Sequence, residues 1–214
     1  MTDPSDEELL AAHLHGDRTA FGTLVSRHER RVYGLCLRLL GNREDAEDAA
    51  QEAFIAALRR ASSFRRAAAF STWLYRIAVN AATDQARRRG RTRTSPLEPE
   101  EPGVPARGSD PGDQVATAVT VQAALTRVPE EFRVAIVLCD LLRLPYAEAA
   151  EILQAPVGTV KSRVFRGRLA LAEQLAGLAP RGAAERASLR LVGEAGTRTT
   201  SRTSEPAEPS SPEE

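Results

Sequence analysis

Five prolines (Pro96, Pro99, Pro102, Pro105 and Pro111) and three glycines (Gly103, Gly108 and Gly112) crowd the 22 residues from Thr92 to Asp113. Each proline lacks the amide proton that a helix or a sheet ladder needs, and each glycine adds backbone freedom that folding must overcome. No regular element runs through such a stretch, so it divides the chain. On its N-terminal side, from Asp6 to about Arg89, apolar residues return every three or four positions, interrupted only at Gly16, at Gly41-Asn42 and between Ala61 and Ser71. The period resumes near Gln114 and lasts to Leu178, broken at Val128-Pro129, Leu144-Pro145 and Ala155-Pro156, each proline placed to end one helix or open the next. Aromatic residues make up only 5% of a chain that is 42% hydrophobic, so the cores draw on Ala, Leu and Val and a β-sandwich or barrel is disfavoured. The sequence predicts an all-α protein of two small helical domains, 6–91 and 114–178. A flexible acidic linker, 92–113, joins them, and a Gly/Thr/Ser/Pro/Glu-rich tail, 179–214, is expected to be disordered.

Several functions are excluded early. MTDPSDEELL has neither a basic start nor an apolar stretch, and no apolar run approaches a membrane span, so a cytoplasmic protein without membrane insertion is expected. Cys36 and Cys139 lie in separate helical patterns with no CxxC or Cys/His cluster beside them, and read as core thiols. His13, His15 and His28 are too scattered for a metal or a triad and read as solvated or half-buried helix residues. A metal–phosphate site built on the acids from Glu44 to Asp48 would need ligands from other elements, and none is evident. No enzyme, metal, cofactor or small-molecule substrate is expected.

Charge tells more by its placement than by its total. The chain carries 29 basic and 29 acidic residues, which argues against indiscriminate coating of nucleic acid. Yet residues 61–94 hold eight arginines against Asp84 alone, and residues 156–170 hold Lys161, Arg163, Arg166 and Arg168 with no acid. Residues 95–113, between them, carry five acids against Arg107. Two basic patches flanking an acidic spacer steer a polyanion, because the local field dominates within a Debye length of roughly 8–10 Å.

Three stretches carry candidate chemistry. In GNREDAEDAAQEAFIAALRR, Asn42 can cap a helix whose Ala46, Ala49, Ala50, Ala53, Phe54, Ala57 and Leu58 form a core face. The acids Glu44, Asp45, Glu47 and Asp48 suit its first turns, and Glu44, Asp48, Gln51, Glu52 and Ile55 lie opposite the core face. That opposite face fits a solvated helix or a docking strip for a basic partner, where rim charges set encounter rate and register. In FSTWLYRIAVNAATDQARRRGRTR, Ser71 can cap and Trp73, Leu74, Ile77, Ala78 and Ala81 form the buried stripe. Arg76, Asn80, Thr83 and Arg87 then share a ridge of side chains able to reach base edges, with the run from Arg87 onward placed to neutralise phosphates. The preceding Phe64-Arg65-Arg66 adds aromatic and cationic surface suited to unstacked bases. In PYAEAAEILQAPVGTVKSRVFRGRLALAEQL, a short helix, a three-residue break at Gln154-Ala155-Pro156 and a second helix from Val157 give a helix-turn-helix layout. Val160, Val164, Gly167 and Leu171 face the core, while Gly158, Ser162, Phe165 and Arg166 point away with Lys161 and Arg163 on the flanks, as a recognition helix requires.

These three stretches, in this order, resemble the extracytoplasmic-function (group IV) sigma factors of bacterial RNA polymerase, the sigma-M type in particular, over about residues 7–176. The resemblance implies a site for each. Asp45, Asp48, Gln51, Glu52 and Ile55 would belong to region 2.2, which docks on the clamp coiled coil of the polymerase β′ subunit. Arg65, Arg66, Trp73, Arg76, Asn80, Arg87 and Arg88 would belong to regions 2.3 and 2.4, which read and melt the −10 element. Thr159, Lys161, Ser162, Arg163, Phe165 and Arg166 would face the −35 element from region 4. The acidic linker would be the connector in the RNA exit channel. Core polymerase, through β and β′, promoter DNA and an anti-sigma factor are the implied partners. No acidic N-terminal inhibitory region or third domain is found, consistent with group IV, and the tail beyond Pro180 matches nothing in the family pattern.

A stand-alone helix-turn-helix regulator is the competing function, and it binds a two-fold-symmetric operator tightly without help. Two small domains on a chain of zero net charge should instead bind duplex promoter only at micromolar concentration or above at physiological salt. A gel shift with purified protein and no polymerase separates the two, and a tight symmetric complex would favour the regulator.

Overall fold

The computed structural model describes residues 3–65, 68–92 and 120–178. The linker beyond Thr92, the tail from residue 179, and Arg66 lie outside the described residues. The regular elements among them are all helices, with no strand, and most helix boundaries have a local cause.

Helix α1 (Asp6–Leu14) opens on a capping box, in which Ser5 Oγ accepts from Glu8 N at 3.2 Å and Ser5 N donates to Glu8 Oε2 at 2.7 Å. Helix α2 (Arg18–Leu40) starts where Asp17 Oδ1 accepts from Thr19 N and Ala20 N, and stops at Gly41, whose φ of 82° lies in the left-handed region. Asn42 caps α3 (Arg43–Arg59) as the sequence predicts, its Oδ1 accepting from Asp45 N at 2.8 Å. Helix α4 (Phe70–Thr92) differs: it begins one residue before Ser71, which falls inside the first turn, and the acceptor at this end is Glu7 Oε1, 3.0 Å from Phe70 N. Helix α5 is described over 120–127. After Pro129 comes α6 (Glu130–Ile136), which widens into a π-type turn at Val137–Leu141; after Pro145 comes α7 (Tyr146–Leu153). Gln154, with φ of 49°, makes the tight turn into α8 (Val157–Leu178).

In the first domain α3 packs between α2 and α4, burying Ala46, Ala49, Ala50, Ala53 and Ala57. Leu58, expected on this core face, is instead 44% exposed. His28 also departs from expectation: it is buried, its Nε2 2.6 Å from Asp6 Oδ2. Cys36 is fully buried and Cys139 half-buried, and burial pushes their thiols up to about 12 and about 11. In the second domain α8 packs on α6 and α7 with Val160 and Val164 fully buried. A Cβ at Gly167 would lie 2.8 Å from Ile136 Cγ2 and 2.9 Å from Phe132 O, so only glycine lets the two helices approach this closely.

The domains touch. Helix α7 lies against α4, and Gln122 Nε2 on α5 donates to Arg38 O at 3.3 Å and to Leu37 O at 3.1 Å, the latter also accepting from Gly41 N at 2.8 Å, so the end of α2 is bonded across to α5. Thr126 sits so near Gly41 that a Cβ added at Gly41 would clash with the Thr126 methyl.

Gly41→Ala therefore meets two obstacles: a left-handed backbone costing about 1–2 kcal/mol for a residue with a Cβ, and the clash with Thr126. Urea unfolding should show a loss of at least that size. Adding Thr126→Ala should recover part of it, the steric part, in a double-mutant cycle; strict additivity would disprove the contact between domains.

Candidate nucleic-acid interface

Helices α3 and α4 line a groove of about 370 Å³, with Asp48, Gln51, Glu52 and Ile55 on one wall and Asn80 and Arg88 on the other. The first wall is the strip singled out from the sequence. Asp48, Gln51 and Glu52 are exposed, Ile55 is 43% exposed, and Leu58 one turn further on extends the apolar part.

Asp45 is placed differently. It turns inward, its side chain only 15% exposed, and takes three hydrogen bonds: Asn42 Nδ2 at 2.6 Å, Gln85 Nε2 at 3.0 Å and Arg89 Nη1 at 2.6 Å. Burial alone would raise its pKa, but the three donors outweigh burial and hold the carboxyl below its ordinary 3.8. Asp45 in this geometry ties α3 to α4, and it holds Arg89 away from the run of arginines expected to neutralise phosphates.

On α4, Asn80 and Arg87 are exposed and Arg76 and Thr83 half-buried, which makes the expected ridge. Arg87 lies 3.8 Å from Asp84 and 4.0 Å from Glu130, long surface pairs that hold it loosely. Arg65 and Arg88 are exposed. Trp73 is 7% exposed and packs its ring on Phe64 (centroids 5.4 Å apart) and Phe70 (5.7 Å). It supports the Phe64 surface from beneath and offers no open face for a base.

The helix-turn-helix forms as its spacing predicts. Outward on α8 stand Thr159, Lys161, Ser162, Arg166 and Phe165, the last 56% exposed. Arg163 is half-buried, with Nε 3.4 Å from Glu131 Oε2. Arg168 forms a two-pronged pair with Asp140, Nε–Oδ2 2.9 Å and Nη2–Oδ1 2.6 Å. Of the four cations counted in this stretch, two are thus held by carboxylates from the preceding helix and turn. Among the described residues, Lys161 and Arg166 have no carboxylate at ion-pair distance, and Lys161 Nζ lies 5.9 Å from the centre of the Tyr146 ring. The acidic partners, 28 and 32 positions from their arginines, carry no local sequence signal.

A two-domain helical protein with a helix-turn-helix and a donor-rich ridge is a DNA-binding protein by its architecture. Comparison with known families narrows this: the model of sigma-70 region 2 matches residues 24–92 and that of sigma-70 region 4 matches residues 118–171. The ECF RNA polymerase sigma factor SigM of Mycobacterium tuberculosis is 46% identical over 171 residues, covering 80% of this chain and 85% of that protein. The corresponding factor SigW of Bacillus subtilis is 41% identical over 172 residues, or 75% of this chain and 91% of that one. Among solved structures, CnrH in complex with the cytosolic domain of CnrY matches with a TM-score of 0.63 and 26% identity, covering 82% of this chain and 100% of that one. The sigma factor RpoE in complex with the anti-sigma factor NepR from Bartonella quintana matches with a TM-score of 0.61 and 26% identity, over 72% and 96% of the two chains. The chain belongs to the sigma-70 family, as an extracytoplasmic-function RNA polymerase sigma factor.

The lowered pKa of Asp45 makes its contribution to stability pH-dependent. A carboxylate depressed on folding stabilises the fold above its ordinary value and ceases to do so as pH falls through the folded one. Asp45→Asn should lose about 2 kcal/mol at pH 7, the scale of hydrogen bonds to a charged group. The gap between variant and parent should narrow below about pH 4 in acid titrations of the unfolding midpoint; a pH-independent gap would contradict this role.

Proposed function

We propose that this sigma factor divides its work among three surfaces. The exposed α3 strip of Asp48, Gln51, Glu52 and Ile55, extended by Leu58, docks on core polymerase at the β′ subunit. Asp45 contributes by fixing that strip against α4. The α4 ridge of Arg76, Asn80, Arg87 and Arg88, with Arg65 and the undescribed Arg66 in the preceding loop, reads and opens the −10 element, and Trp73 supports it from within. Thr159, Lys161, Ser162, Phe165 and Arg166 of α8 face the −35 element, with Arg163 positioned by Glu131. The observation that carries this reading is the outward face of α8: an exposed aromatic and two exposed cations on the second helix of a helix-turn-helix.

Each DNA surface is modest, and specificity comes from using both while polymerase holds the chain, which turns the second contact into an intramolecular one. Opening requires only capture of unstacked bases, offsetting the few kcal/mol of unpairing; polymerase forms the phosphodiester bonds. Among the described residues no helix is long and apolar enough to cross a membrane, and the chain works where polymerase and DNA are, in the cytoplasm. An anti-sigma factor is proposed as its regulator, because the solved sigma factor RpoE was captured with the anti-sigma factor NepR.

The names of the two elements place them 25 base pairs apart, about 85 Å of duplex at roughly 3.4 Å per base pair. Helices α4 and α7, in contact here, must therefore part before both elements are read.

Run-off transcription with core polymerase tests the division of labour. Arg166→Ala should weaken promoter use by about 1–3 kcal/mol while leaving polymerase binding intact, and Asp48→Arg should weaken polymerase binding first. If both variants lose the same step, the assignment is wrong.

A further inference from the structure

Helix α1 lies before residue 24, where the match to sigma-70 region 2 begins, yet it supplies a contact that the helix at the heart of that region lacks. The residue preceding α4 is Ala69, which has no side-chain acceptor for the open amides of the first turn. Glu7 reaches across 63 positions to fill the gap, Oε1 accepting from Phe70 N at 3.0 Å. A carboxylate at this end also opposes the positive pole of the helix dipole.

Glu7 is itself held in place. Leu9 and Leu10 bury α1 in the core. Arg27 gathers the start of α1 and the residues ahead of it, with Asp3 Oδ1 at 2.6 Å, Pro4 O at 2.7 Å and Asp6 Oδ1 at 3.0 Å, while the other Asp6 oxygen meets buried His28 at 2.6 Å. Phe70, whose amide Glu7 holds, is buried with its ring 5.5 Å from His28, 6.0 Å from Phe64 and 5.7 Å from Trp73. Phe64 and the exposed Arg65 form the surface just ahead of α4. A chain of direct contacts thus runs from α1 through Phe70 to the residues proposed to meet unstacked bases.

We infer that Glu7 is a positioning residue for promoter opening, fixing the first turn of α4 and the Phe64–Arg65 surface from outside the region 2 module. This rests on the reading of α4 given above. A capture site held loosely loses affinity for the unstacked base, because the ordering cost then falls on the opening step.

The test uses the full chain with core polymerase, comparing Glu7→Ala and Glu7→Gln with the parent. The readouts are permanganate reactivity of −10 thymines, polymerase affinity, thermal melting, and the penalties for single base changes in the −10 and −35 elements. Glu7→Ala should fold and bind polymerase normally, open the promoter about tenfold less, the worth of one hydrogen bond to a charged group, and show a smaller −10 penalty with the −35 penalty unchanged. Glu7→Gln, whose amide oxygen can accept the same bond, should recover at least half of the opening. Normal opening by Glu7→Ala overturns the inference. So does a Glu7→Ala chain that fails to fold or loses polymerase and both promoter elements alike, or a Glu7→Gln chain no better than Glu7→Ala. Failure of the underlying reading looks different: Arg76→Ala and Asn80→Ala would leave −10 discrimination untouched whatever the Glu7 variants do.

Discussion

The close packing of an alanine face holds the first domain together. Five alanines of α3 are buried between α2 and α4, and side chains of that size let helix axes approach nearer than leucines would. Two consequences follow from the short distance. Asp45 comes within reach of Gln85 and Arg89, so the seam is locked by charge-assisted hydrogen bonds as well as by packing. The outward face of α3 and the ridge of α4 also become the two walls of one groove. On the reading proposed for these two faces, a docking surface and a reading surface that share one packed unit keep a fixed relation, and the position of polymerase would pass directly to the DNA-facing side chains.

The second domain uses the same device with glycine. Gly167 lets α8 lie close upon α6, and the pairs Arg163–Glu131 and Arg168–Asp140 then fix its rotation. Fixing these two cations inward selects what remains outward: Lys161, Arg166 and Phe165. A recognition helix with four free cations would bind any phosphate backbone, whereas fewer free charges leave more of the discrimination to base contacts.

Much of the fold was legible because its signals are local. Asn42, Gly41 and the three Xaa-Pro breaks each act within a turn of themselves, and the helices beside them begin and end where those residues direct. The outward set on α8 followed from period alone. What the sequence hid were partners brought together by folding. Asp45 reads as one more first-turn acid until α4 is packed beside it; Arg163 and Arg168 read as free cations until α6 supplies their carboxylates; Trp73, already on the buried stripe, could not be told from a base-contacting ring. Ser71 was a plausible cap by residue type, but Glu7 holds that end from another helix, and no window along the chain joins positions 7 and 70. His28 escaped for the same reason, its partner Asp6 lying 22 residues away.

The arrangement with α7 against α4 is compact, held by Gln122 on the end of α2 and by Thr126 on Gly41. It cannot be the arrangement in which both promoter elements are read, since those lie about 85 Å apart along the duplex at roughly 3.4 Å per base pair. The central claim is that these two domains, in contact in the free chain, work apart once polymerase holds them. Dyes at the exposed positions Glu29 on α2 and Glu173 on α8 would report that distance by energy transfer. The account predicts high transfer in the free protein and a loss of most of it on adding core polymerase and promoter DNA; transfer that stays high while promoter-dependent transcription proceeds would contradict it.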